Sequence, residues 1–101
     1  MALKAVFMFV APESDAEKHR TLVKTPVVEL TVVGVNNYAE AAEVAKTLVD
    51  QGNVAIELCA GFGHEGVAIV KKAVGNKAAV GAVRFDNHPG LEFKSGDEIF
   101  S

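Results

Sequence analysis

The chain of 101 residues has one cysteine, Cys59, and no cluster of basic residues. A single cysteine excludes an internal disulfide and is typical of a reducing compartment. The ten lysine and arginine residues are scattered and the net charge is −3, which argues against nucleic-acid binding because that needs clustered cations. No apolar run approaches the roughly 20 residues that span a bilayer. We therefore expect a cytoplasmic protein that binds neither nucleic acid nor a membrane.

The N-terminal run LKAVFMFVAP has too short an apolar core for a signal peptide and is not followed by a small-x-small cleavage site. We interpret it as a strand. Half of the residues are hydrophobic, which excludes disorder. A domain of this size buries only about 60–70% of the surface that its unfolded chain exposes. The high apolar content therefore predicts a surface that a partner covers.

Hydrophobic periodicity predicts one α/β domain over residues 1–101, with the order β-β-α-β-α-β and a mostly parallel sheet of four strands. The first helix should begin after Asn37, with Glu40 completing a capping box, and end at Gly52. The second should carry Val67 and Val70 on its buried face. A short extra helix near 15–22, capped by Asp15, is a weaker expectation. The four expected strands cover residues 3–10, 27–35, 54–59 and 77–85.

If both helical crossovers step in the same direction, both helices lie on one face of the sheet. The other face then presents roughly 400 Å², and a largely apolar face of that size is typical of an interaction surface. We expect the protein to cover it by forming a homodimer or a larger homo-oligomer. The alternative is that the C-terminal segment folds back over it, through Leu91, Phe93, Ile99 and Phe100.

Ligands of parallel α/β sheets bind beyond the carboxyl ends of the strands. Three such ends are recognisable as the segments VAPESD, CAGFGHEG and RFDNHPG. All three histidines lie in or just after these segments. The candidate site residues are His64, His88, Asp86 and Glu65 for catalysis, and Gly61, Gly63, Arg84, Cys59 and His19 for ligand binding.

The turn at residues 61–66 has a physical rationale as an anion site. Gly61 and Gly63 allow close approach of the backbone, and the helix that follows directs free N–H groups at the same space. With Gly66 the turn matches G-x-G-x-x-G, and Asp86 follows at the usual distance, but the chain is too short for a full nucleotide domain. A purely structural glycine turn is the alternative.

The sequence gives less support to a metal site, a cysteine nucleophile or a pair of acid–base carboxylates. The spacing of Cys59, His64, Asp86 and His88 matches no standard metal motif, so we predict no metal site. Cys59 near a helix start is either a nucleophile or a small buried hydrophobe. If their strands are neighbours, Glu29 and Glu57 could share a face with Arg84, for acid–base work or for a salt bridge.

These segments resemble a family of small prokaryotic proteins known only as a domain of unknown function. The resemblance covers nearly the whole chain and is carried by MALKAVFMFVAPESD and EKHR, VELTVVGV, AIELCAGFGHEGVA and VGAVRFDNHPG. It implies no activity, ligand or catalytic residue. The stretch YAEAAEVAKTLVDQGNVAIELC is also similar to one unit of the aldolase-type β/α barrels, as generic βα packing would make it.

The sequence is compatible with two functions from different classes. One is binding of a small anionic metabolite at the strand ends, with lyase, isomerase or hydrolase chemistry. The other is a non-catalytic module that assembles with itself or another partner through its helix-free sheet face. Whether the protein is an enzyme, and which cofactor it would use, stays open.

Overall fold

The computed structural model describes residues 2–85 and 87–101 and forms one five-stranded sheet with helices on one side. The strands are β1 (Leu3–Val10), β2 (Arg20–Lys24), β3 (Val28–Val35), β4 (Ala55–Leu58) and β5 (Ala79–Ala82). The helices are α1 (Tyr38–Asp50), α2 (His64–Val74) and the short α3 (Gly96–Ile99), with single 3₁₀ turns at Gly75–Lys77 and Pro89–Leu91. None of these helices is long and apolar enough to cross a membrane.

The sheet order is β2-β3-β1-β4-β5, and every neighbouring pair is parallel except β2 with β3. The α/β class, the mostly parallel sheet and the two main helices are therefore confirmed. The expected number of four strands was wrong. The segment expected as a weak helix at 15–22 instead forms a turn and then β2. Asp15 does cap that turn, through the N–H groups of Glu17 and Lys18.

A hairpin explains why the chain extends after that turn. Thr21 and Val23 are β-branched, and β2 pairs antiparallel with β3 from Arg20↔Val33 to Lys24↔Glu29. The connection at 25–27 is closed by Thr25, whose side-chain oxygen accepts hydrogen bonds from the N–H groups of Val27 and Val28. Tertiary pairing thus outweighs the weak local preference for a helix.

The first main helix begins and ends where the sequence predicts. The Asn37 side chain accepts a hydrogen bond from the Glu40 N–H, and Glu40 reaches back to the N–H of Asn36. Gly52 follows the end of the helix with a φ of 100°, a conformation that glycine adopts without strain. Helices α1 and α2 pack against each other, so both crossovers cover the same face of the sheet.

The main core lies between that face and the two helices. Alternate residues of the central strand, Val6, Met8 and Val10, point into it, with Val33 and Val35 from β3 and Ile56 and Leu58 from β4. The residues between them, such as Phe7 and Phe9, point to the second face and stay half-buried. We call that second face the open face.

The C-terminal segment does not cover the open face, which was the alternative to an oligomer. Its short helix α3 packs against α2, and Phe100 is buried beside Tyr38, with a ring-centroid distance of 6.5 Å. Leu91 packs at the margin of the main core. Phe93 and Ile99 remain exposed. The segment therefore closes the N-terminal ends of the helices.

Candidate functional site

The predicted anion site at the start of α2 is occupied by a side chain of the protein itself, Asp97. One carboxylate oxygen accepts a hydrogen bond from the Glu65 N–H at 3.0 Å, and the other accepts from the Gly66 N–H at 3.3 Å. These are the free N–H groups at a helix start that a bound phosphate or carboxylate would use. The chain thus provides an anion for this site from a position more than thirty residues further along.

Tyr38 links this carboxylate to the glycine turn. Its hydroxyl donates to Asp97 Oδ1 at 2.8 Å and accepts from the Gly63 N–H at 2.9 Å. Its ring stacks on the fully buried Phe62 with the centroids 5.7 Å apart. Asp97, Tyr38 and the turn 61–66 form one hydrogen-bonded unit, which we call the Asp97 latch.

The latch explains why the turn is rich in glycine. A Cβ atom at Gly63 would lie 2.1 Å from Asp97 Oδ1, and one at Gly66 would lie 2.5 Å from the Tyr38 ring. A Cβ atom at Gly96 would lie 1.7 Å from the carbonyl oxygen of Gly61. Close approach between two segments of the chain therefore requires these glycines.

Electrostatics in the latch keep Asp97 ionised. Burial alone would raise the pKa of Asp97, but hydrogen bonds from the Glu65 N–H, the Tyr38 hydroxyl and the Gly66 N–H, together with the nearby Arg84 cation, hold it below its usual value. Burial raises the pKa of Tyr38, and the adjacent Asp97 carboxylate raises it further. Tyr38 is therefore a hydrogen-bond donor to a carboxylate, as its geometry requires.

Arg84, which the sequence suggested as a ligand-binding residue, lies beside the latch. One of its terminal nitrogens donates to the Phe62 carbonyl oxygen. Its Nε atom is buried and has no hydrogen-bond partner among the residues that the structure describes. Arg84 thus holds the turn 61–63 in place through the Phe62 carbonyl oxygen.

The predicted histidines occupy three separate local environments. His64 is the exposed first residue of α2, next to the exposed Glu65. His88 accepts the Gly90 N–H on Nδ1 and packs edge-on against Phe85, and His19 accepts the Asp15 N–H on Nδ1. His19 and His88 thus stabilise turns, and no hydrogen bond connects one histidine with another in the described part of the chain.

The remaining candidates also have local partners. Cys59 is partly buried, and its Sγ accepts a hydrogen bond from the Gly61 N–H. Asp86 falls outside the described residues. Glu29 and Glu57 do not share a face, because β1 lies between their strands and they point to opposite sides of the sheet. No group of three or more metal-ligating side chains occurs in residues 2–85 and 87–101.

A groove of about 520 Å³ lies beyond the carboxyl ends of β1 and β3, and its lining includes no residue of α2. It runs between the turn 14–20 and α1. Its charged lining consists of Asp15, Glu17, Glu40, Glu43 and Arg20. Arg20 Nε already donates to the Ala16 carbonyl oxygen. The excess of carboxylates makes this groove unsuited to an anionic metabolite.

Asp97 is the residue that sequence reasoning missed. Its partners are distant in the sequence, so no local pattern indicates them. A local signal does mark its helix: the sequence SGDE satisfies the S-x-x-E capping box, and Ser95 and Glu98 form that box in the structure.

The chain belongs to a family of unknown function, DUF6506, whose family model matches residues 3–98. The resemblance to a domain of unknown function is thereby confirmed. No curated protein and no solved structure matches the chain.

Proposed function

We propose that this member of the DUF6506 family is a non-catalytic protein-binding module whose open sheet face is buried against a protein partner. The observation that carries the proposal is the composition of that face. Its residues come from all five strands and are apolar except for Thr21 and Glu57. They are Thr21, Val23, Val28, Leu30, Val32, Gly34, Leu3, Ala5, Phe7, Phe9, Ala55, Glu57, Ala79 and Gly81.

The opposite face of the same strands provides an internal comparison. Where β2 and β3 extend beyond the helices, their helix-side residues are mostly polar: Arg20, Lys24, Glu29 and Thr31, with Leu22. These residues contact water, and their composition is ordinary for a sheet with one solvated face. The open face lacks that composition. Along β2 and β3, polar residues therefore alternate with apolar ones, so that the helix side is suited to contact with water and the open face to contact with a protein.

The energy available is sufficient for association. At about 3.3 Å per residue and about 4.8 Å between strands, the five strands span roughly 450 Å² on each face. With an equal area buried on the partner, roughly 900 Å² leaves water, which at about 25 cal/mol per Å² favours association by roughly 22 kcal/mol before costs. Ordering two molecules costs about 4–15 kcal/mol. The open face can thus support a weak to moderate complex without further contacts.

Two neighbouring residues of β2 give a matched test. Val23 and Leu22 are 49% and 54% exposed, and they point to the open face and the helix side respectively. We expect Val23→Lys to dissociate the complex, because it places an ammonium group in an apolar interface. Leu22→Lys should leave the complex intact. The measurement is the mass of the tagged protein in native cell extract, by size-exclusion chromatography with antibody detection.

Wild type and Leu22→Lys should elute above the 10.6 kDa of one chain, and Val23→Lys should elute as a monomer. Thermal unfolding of the purified variants checks that both fold. A wild-type protein that elutes as a monomer, or equal masses for all three, would overturn the proposal.

Binding of a small anion beside α2 is the second candidate function. It is supported by the buried Nε–H of Arg84, which has no hydrogen-bond partner in the described part of the chain, and by the two N–H groups at the start of α2. An external anion would have to displace Asp97 from those N–H groups. We expect inorganic phosphate to raise the melting temperature of Asp97→Ala more than that of wild type. An equal effect on both proteins, or none, would contradict this function.

A further inference from the structure

We infer that the partner on the open face is a second copy of this chain, related by a two-fold axis that runs along β1 between two facing sheets. The inference deepens the proposed function and rests on it. In this arrangement β1 lies over its own copy, β3 lies over β4 of the second copy, and β2 lies over β5. The two sheets would pack about 10 Å apart in aligned fashion.

Side-chain size is the first argument. On one side of β1 the open face carries larger residues, Val23 and Leu30 in one row of the register. On the other side the same row continues with Ala55 and Ala79. A two-fold axis along β1 places the larger half of each copy over the smaller half of the other. Facing sheets pack well when large and small side chains alternate across the interface.

The next row repeats this asymmetry. It reads Thr21, Val32, Phe7, Glu57 and Gly81 across the five strands. A Cβ atom at Gly81 would meet nothing within 4 Å, so space is open above β5. The inferred axis puts Thr21 of one copy over Gly81 of the other. It therefore fills the smallest part of the face with a side chain from its opposite edge.

Charge favours the same axis. Glu57 is the only ionisable residue among the strand positions of the open face. An axis across the strands would stack β4 on its own copy and bring the two Glu57 carboxylates together, which like charges oppose. The axis along β1 keeps them on opposite sides of the central strand. It also puts each Glu57 one strand from a Thr21 hydroxyl of the other copy, a hydrogen-bond donor.

The area fits a dimer at the weak end of the stable range. Two faces of roughly 450 Å² bury roughly 900 Å² together, which lies in the range of weak or transient interfaces. Leu3 and Val83 lie at the margins of the sheet and are about half exposed. A dissociation constant on the order of micromolar is therefore expected.

A size exchange between Val23 and Ala79 tests the axis. These residues are at opposite edges of one chain, and only the inferred axis places Val23 of one copy over Ala79 of the other. We expect Ala79→Leu to weaken dimerisation by about 10-fold through overcrowding, and Val23→Ala by about 3- to 10-fold through a cavity. The double variant should dimerise within about 3-fold of wild type, because each change compensates the other.

The measurement is sedimentation equilibrium of the purified proteins over about 1 to 100 μM, which brackets the expected affinity. Circular dichroism melts confirm that each variant folds. A purified wild type that remains a monomer over that range overturns the inference, yet leaves the proposed function standing if the extract still shows a larger complex. A dimer in which the two changes are simply additive overturns the axis along β1.

Discussion

Replacement of Asp97 by alanine tests whether the C-terminal segment is held by the latch. The variant loses three hydrogen bonds to one carboxylate, from the Tyr38 hydroxyl, the Glu65 N–H and the Gly66 N–H, with lengths of 2.8, 3.0 and 3.3 Å. Loss of a helix cap costs about 0.5–2 kcal/mol, and a hydrogen bond to a charged group contributes about 1.5–3 kcal/mol. We expect Asp97→Ala to lower the free energy of unfolding by about 2–4 kcal/mol.

The assay is urea unfolding followed by circular dichroism, with thermal melts in parallel. For a domain of this size, about 1 kcal/mol moves the melting temperature by about 4–8 °C, so a drop of roughly 8–32 °C is expected. Asp50→Ala is the control, since Asp50 is an exposed carboxylate at the last residue of α1. Amide exchange should also increase at residues 63–66 in Asp97→Ala.

The pH dependence of this difference follows from the lowered pKa of Asp97. A carboxyl with a depressed pKa in the folded state contributes stability that is present above its unfolded value, near 3.8, and is lost as the pH falls through the folded value. Wild type should therefore approach Asp97→Ala in stability as the pH falls below about 4. A gap of less than 1 kcal/mol at pH 7, with unchanged amide exchange at residues 63–66, would refute the latch.

Substitutions at the glycines give further expectations. Gly63→Ala should destabilise by about 1–3 kcal/mol, because its Cβ would lie 2.1 Å from Asp97 Oδ1 and would displace that side chain; in an Asp97→Ala background the added cost should largely disappear. Gly96→Ala should cost more, since its Cβ would meet the backbone oxygen of Gly61 at 1.7 Å. Gly81→Ala is the control, with open space around it. In urea unfolding below the dimer dissociation constant, Gly96→Ala should be the least stable variant, Gly63→Ala intermediate and Gly81→Ala close to wild type.

The sequence predicted the parts of the fold that local chemistry determines. The N-cap Asn37, the stop at Gly52 and the α2 face with Val70 depend on residues within a few positions of one another. The strand β2 was missed because its signal is divided between two faces. Only Thr21 and Val23 face a surface that favours apolar or β-branched residues, and of the three residues on the other face, Arg20 and Lys24 are charged.

The turn before α2 was expected to bind an external anion, and in the structure a carboxylate of the chain itself, Asp97, accepts hydrogen bonds from its N–H groups. A glycine-rich turn before a helix presents free N–H groups whether the anion is a bound phosphate or a carboxylate of the chain. The local sequence at residues 61–66 is therefore the same for both cases. What separates them is a contact between Asp97 and two residues more than thirty positions earlier, and sequence separation of that size leaves no periodic signal.

The two faces of the sheet differ in how the chain covers them: helices pack on one face, and the open face is only partly buried. On the helix side, the buried strand residues form one hydrophobic cluster with residues of α1 and α2, and the C-terminal segment closes the helix ends through the latch. On the open face, Phe9 lies across Gly34, where a Cβ would be 2.5 Å from its ring, and neighbouring side chains shield one another only in part. Residues 96–100 pack at the helix ends and leave the open face uncovered. We propose that a second sheet covers it.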